Sequence, residues 1–186
     1  LNIVTIDGGM QGYTATFNAN VNNRGVGAGT YATVQTGKFT ATGNYSYSYN
    51  SNPEYSSENY REHYTSNDQK YLSSKSKNKS KGNYQYGNIE GSYEIDTLRL
   101  ITFSGNIYGN HFKSDGYSSI GMKNANFDPV YSYSSNRHNE SKYNYMGASM
   151  DYQRSFKKKG ELFTFSYRLN NNPSNTWTDI DYEDIF

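Results

Sequence analysis

Roughly seven segments of the chain alternate a bulky or apolar residue with a small polar one, and little else in it is patterned. The alternation is cleanest over 39–49, where Phe39, Ala41, Gly43, Tyr45, Tyr47 and Tyr49 interleave with Thr40, Thr42, Asn44, Ser46 and Ser48. Successive side chains of a strand point to opposite faces, so such a segment has an aromatic face and a hydroxyl and amide face. A soluble sheet would bury the aromatic face in a core. A transmembrane barrel would turn it to lipid and line a wet lumen with the other.

The same pattern predicts further strands. Residues 1–6 form a short one, stopped by the turn signal Asp7-Gly8-Gly9. Tyr13, Ala15, Phe17, Ala19 and Val21 alternate with Thr14, Thr16, Asn18 and Asn20, and Asn22-Asn23-Arg24-Gly25 supplies hairpin chemistry. A glycine-rich return strand covers about 27–36. Over 84–95 the phase slips: Tyr84 and Tyr86 are even, whereas Ile89, Gly91, Tyr93 and Ile95 are odd, which predicts a bulge near Gly87. Ile101, Phe103, Gly105 and Ile107 oppose Thr102, Ser104 and Asn106. The strand over 143–156 alternates less cleanly and leaves its apolar face undecided. Phe163, Phe165, Tyr167 and Leu169 oppose Thr164, Ser166, Arg168 and Asn170, and the tail 171–186 reads as a polar loop.

Two stretches, 50–82 and 113–141, are rich in Ser, Asn and Lys and read as long loops. Short turns at 36–38, 96–98 and 157–160 fall on one rim and the long connections on the other, with the 22–25 hairpin as the exception. Outer-membrane barrels have this one-sided bias.

Composition narrows the class. A mean hydropathy of −0.98 would suggest disorder, but disordered chains lack aromatics and this one has 21 Tyr and 9 Phe. The expectation is an all-β chain, an antiparallel up-and-down meander. A net charge of +1 provides no field for nucleic acid. Cysteine is absent, which removes thiol chemistry and disulfides. No run is apolar enough for a transmembrane helix, a statement that leaves barrel strands open. The sequence starts without Met or a signal peptide, as a processed product or an excised fragment would.

Candidate chemistry is sparse. His63, His111 and His138 stand alone in the sequence and read as polar loop or strand-end residues, with no zinc grouping. Lys75, Lys77, Lys79 and Lys81 alternate and would share one face of an extended chain, as a basic patch for an anion or as a solvated rim. Asp179, Asp181, Glu183 and Asp184 could hold calcium but lack EF-hand spacing. Asn44, Asn78 and Asn139 open Asn-x-Ser triplets, expected by chance in so Asn- and Ser-rich a chain. Tyr55, Tyr60, Tyr64, Tyr117, Tyr131 and Tyr133 could stack on a sugar or siderophore. No nucleophile, base and orienter fall together, so neither enzyme activity nor a cofactor or metal is expected.

Leu1-Asn2-Ile3-Val4-Thr5 with Gln11-Gly12-Tyr13, Asn22-Asn23-Arg24-Gly25, Gly43-Asn44-Tyr45-Ser46-Tyr47-Ser48-Tyr49 and Phe103-Ser104-Gly105-Asn106 resemble strands of one family, the Bacteroidota-type outer-membrane β-barrels of TonB-dependent receptors. The segment from Met150-Asp151-Tyr152 through Gly160-Glu161-Leu162 resembles it too. The likeness implies that 1–10 are the last plug strand and the turn into the barrel. It implies that 11–186 are the first barrel strands, with long extracellular loops near 50–82 and 113–141. The plug and the TonB-contacting segment would lie before Leu1, and the strands here fall far short of the family's number. The resemblance therefore implies a structural piece of a nutrient-uptake barrel in the bacterial outer membrane. Its partners would be lipid and the remaining strands and plug, with TonB reached only through segments outside this sequence. Competing readings are a soluble aromatic-rich β-sandwich that binds carbohydrate or another ligand through Tyr and Trp177, a surface adhesin, and an intact small barrel.

Overall fold

A computed structural model describes residues 11–158, 160–183 and 185. The expected strand over 1–6 and the plug-end assignment of 1–10 lie outside the described residues. The described residues form one open antiparallel sheet of eight strands. They are β1 (Gly12–Asn22), β2 (Gly25–Thr36), β3 (Phe39–Glu62), β4 (Tyr71–Asp96), β5 (Arg99–Lys123), β6 (Pro129–Ser155), β7 (Leu162–Asn171) and β8 (Ser174–Glu183). Sheet order follows chain order from β1 to β7, and β8 also pairs with β6. The chain is thus an all-β up-and-down meander.

The stretches 50–82 and 113–141, expected as loops, are mostly strand. β3 to β6 run 24 to 27 residues each, and only 63–70 and 124–128 turn the chain. Backbone pairing is indifferent to hydropathy, so Ser-Lys alternation serves a ladder as well as Thr-Tyr alternation does. The tight 124–128 turn is held by Asn124, whose Oδ1 accepts the N–H groups of Asn126 and Asp128 at 2.9 Å each. Phe127 takes a positive φ of 68° there and stacks on Tyr71 at 4.7 Å.

The tail is not a loop either. After β7, the N–H of Asn144 in β6 donates to the Pro173 carbonyl at 2.9 Å. Further along, Thr178 Oγ1 donates to Asn139 Oδ1 at 2.7 Å. Each step along β7 and β8 is matched by one along β6, so the two are successive halves of one edge, interrupted where proline has no N–H to offer.

The strands divide into two compact units. The first holds residues 11–49, Asn83–Asn110 and Tyr143–Ser174, and the second holds Asn50–Gly82, His111–Lys142 and residues 175–183.

In the first unit the register sorts side chains by face. Tyr13, Ala15, Phe17, Ala19 and Val21 lie opposite Val34, Ala32, Thr30, Ala28 and Val26. Ile107 and Tyr45 flank Gly87, Ile89 lies against Gly105, and the Phe103 ring covers Gly91. Met150, Tyr152 and Ala148 lie opposite Tyr167, Phe165 and Leu169. These positions make one apolar face. The other is polar: Thr33 and Thr42 hydroxyls meet at 3.2 Å, and those of Ser104 and Ser149 at 2.8 Å. Gly27 and Gly29 have no Cβ where the Asn20 and Asn18 amides fold over them.

The bulge expected near Gly87 is absent, because Gln85, Gly87, Ile89 and Gly91 meet Gly109, Ile107, Gly105 and Phe103 in matching steps of two. Tyr84 simply belongs to the polar face, edge-on to Tyr108 at 5.1 Å, and Tyr108 meets Tyr143 at 5.4 Å. The undecided 143–156 strand follows suit. Tyr143 and Tyr145 take the polar side, where the Tyr145 hydroxyl donates to Asn170 Oδ1 at 3.1 Å, and Met150 and Tyr152 take the apolar one.

Candidate functional site

Among the described residues nothing packs on the apolar face of the first unit. Tyr13, Phe17 and Val21 are 73–89% exposed, and Phe163, Phe165, Tyr167 and Leu169 about half. Among the described residues, Met122 is the one buried hydrophobic side chain. Soluble monomers rarely leave a contiguous apolar patch beyond a few hundred Å². The band occupies about nine to eleven residues of a strand, as over 13–21 and 39–49, which is the length that crosses a hydrocarbon layer when a strand is tilted by about 40°.

The second unit carries charge instead. Lys75 reaches Glu58 at 2.6 Å, Lys77 reaches Glu54 at 3.2 Å and Lys79 reaches Asp115 at 3.9 Å. Asp115 also meets His138 Nδ1 at 2.5 Å. Glu140 is met by His111 Nε2 at 2.8 Å, Lys142 at 2.9 Å and Lys113 at 3.1 Å. Hydrogen bonds from Lys142, His111 and Lys113 hold the Glu140 carboxyl down at about 2. The His138 hydrogen bond lowers Asp115, and the Lys75 hydrogen bond lowers Glu58 while raising Lys75. Single exposed pairs contribute little to stability, and a carboxylate shared by two lysines and an imidazole gains by cooperation.

His111 and His138, isolated in the sequence, therefore stand beside carboxylates of a neighbouring strand. The hairpin register around 124–128 would have revealed both pairs. His63 is brought to no such partner: its N–H donates to the Lys70 carbonyl at 2.8 Å, and its shielded Nε2 has no partner among the described residues. Asp179, Asp181 and Glu183 are strand residues of β8, and Asp184 lies outside the described residues. Among the described residues no three His, Asp or Glu side chains gather as a metal group. Tyr55, Tyr60 and Tyr64 are strongly exposed, and Tyr131 and Tyr133 are strand residues of β6 whose rings stack at 6.5 Å. Trp177 lies edge-on to His138 at 5.6 Å.

One concavity in this unit has a defined lining. A hollow of about 560 Å³ opens over Gly116, between Asn78 on β4 and Arg137 on β6. Ser114, Ser118, Ser135 and Asn139 surround it, and Phe112, Ile180 and Tyr182 close its sides. Asn78 Oδ1 accepts from Ser114 at 2.8 Å and Asn139 Oδ1 from Thr178, so each amide keeps its NH₂ group as a donor. Sequence reading had no means of finding this hollow, since its residues come from four strands and none is unusual alone.

Fold and surface together define a class: an open antiparallel meander with one uncovered apolar face and a highly polar second unit. No protein-family model matches the chain, and no curated protein matches it significantly.

Proposed function

We propose that the chain is a wall segment of a TonB-dependent outer-membrane receptor barrel, supplying strands and their extensions for nutrient uptake. The observation that carries this reading is the apolar face of the first unit, continuous across seven strands and covered by none of the described residues. Lipid would cover it, and water would wet the Thr, Ser and Asn face inside. The two outer edges, at β1 and at β7, would pair with further strands of the parent barrel, since unpaired backbone groups are not tolerated in hydrocarbon. The polar hairpins ending at 63–70 and 124–128 would stand outside the membrane. Energy coupling belongs to the plug and not to this segment. A β-sandwich would answer the same apolar face with a second sheet, whereas the described residues form one.

The test is expression of the 186 residues with and without detergent, followed by light scattering and far-UV circular dichroism. Aggregation in buffer and β-rich particles in micelles are expected. A detergent-free β-rich monomer would overturn the proposal in favour of the soluble binding module.

A further inference from the structure

We infer that the hollow over Gly116 is a binding site for an acidic saccharide unit, a sugar ring bearing a carboxylate or sulfate. Three observations converge on this chemistry. The first is charge. The carboxylates Asp115 and Glu140 are occupied by the cations around them, whereas the hollow has no acidic residue in its lining and Arg137 has no carboxylate partner among the described residues. A planar guanidinium with free donors at the edge of an acid-free hollow favours a planar or tetrahedral oxyanion.

The second is hydrogen-bonding character. Serine hydroxyls from β5 and β6 and the amides of Asn78 and Asn139 present mixed donors and acceptors at short intervals, which suits a ring carrying several hydroxyls. The third is the aromatic side. The Tyr182 ring lies 6.0 Å from Tyr133, which stacks on Tyr131, so a row of rings leads away from the hollow for a neighbouring sugar face. Gly116 makes the depth. A Cβ there would meet nothing nearer than the Lys77 carbonyl at 3.7 Å, so backbone packing does not require the glycine, and the space over it is free for a ligand. The site lies wholly within the second unit and does not rest on the membrane reading.

Calorimetric titration of the full chain, in the medium in which it folds, tests the inference with oligogalacturonate as probe and a neutral maltooligosaccharide of equal length as control. Binding of the acidic probe alone is expected, weakening as salt screens the pair. Arg137→Gln should weaken it about tenfold or more, through loss of a charge-assisted contact. Gly116→Val, a strand-favouring substitution, should intrude on the floor of the hollow and weaken binding about tenfold or more with an unchanged far-UV spectrum. Should that variant misfold, Ser118→Val serves in its place. Lys113→Gln, which removes a cation bound to Glu140, should leave binding unchanged. Equal affinity for the neutral sugar, indifference to Arg137→Gln, or no binding of the acidic probe at millimolar concentration would each overturn the site.

Discussion

Strands β4, β5 and β6 each pass through two chemistries. Over 85–109, the odd positions of β4 and β5 are Ile, Phe, Tyr, Gly and Gln, apart from Arg99 at the start of β5, with Ile89 against Gly105 and Phe103 over Gly91. Over 111–115, the odd positions of β5 are His111, Lys113 and Asp115, bound to Glu140 and His138. The backbone ladder is the same in both. What differs is the medium each set of side chains is suited to: one set leaves large apolar groups unopposed, and the other gathers its charged groups around shared carboxylates at the surface. Ladder hydrogen bonds thus make the strand, and side chains alone decide what surrounds it.

The sharpest way to break this contrast is to exchange the chemistries. Ile89→Arg should destabilise the protein refolded in lipid vesicles by ~2–4 kcal/mol, and Asn88→Arg on the opposite face by less than ~1 kcal/mol. Chemical denaturation followed by circular dichroism measures both. Equal effects would mean that lipid does not cover the Ile89 face.

Glycines give a smaller contrast. A Cβ at Gly91 would press into the Phe103 ring and sit 2.8 Å from the Thr40 carbonyl, whereas one at Gly121 would rest 3.4 Å from the Ser73 hydroxyl. Gly91→Ala should lower stability by ~1–3 kcal/mol through overpacking, and Gly121→Ala should be neutral or raise it by up to ~1 kcal/mol through lost unfolded-state freedom. A neutral Gly91→Ala would show that the Phe103 ring swings away freely.

The smallest expected effect is on pH. The Glu140 carboxyl is held at about 2 against an ordinary value of 4.5, so its contribution is complete above about pH 4.5 and is lost as pH falls towards 2. Asp115, lowered by His138, acts in the same direction. Trp177, the single tryptophan, lies against His138 and should report this loss by its emission, while amide exchange over 84–95 stays constant. Emission that is flat from pH 5 to pH 2 would dismiss the ion lattice as a stabilising element.

Much of the first unit is legible in the residue order, because alternation of Tyr, Phe and Ile with Thr, Ser and Asn states both the strand and its faces. Legibility fails where that cue is missing or doubled. The run from Ser73 to Lys81 alternates with period two but has no apolar member, so it reads as a loop although it is strand. Tyr84 and Tyr86 look like a slip because tyrosine is usable on either face, as apolar ring or as hydroxyl donor. The tail escapes notice because β8 is recognisable only beside β6. The Glu140 and Asp115 clusters and the Gly116 hollow are out of reach for the same reason: each is assembled across strands and depends on register, which no single segment encodes.

Since Met122 alone among the described hydrophobic side chains is enclosed, this protein has almost no interior whose shape must be preserved. In an ordinary domain, neighbouring side chains fit one another and each substitution is judged by the volume it leaves or intrudes upon. Here most large apolar groups have free space beyond them, so Leu, Ile, Phe or Tyr can replace one another on the apolar face with little penalty. Odd-even order along each strand, rather than the identity of its residues, then carries the inherited information. Such a chain can change most of its letters while its architecture stands still.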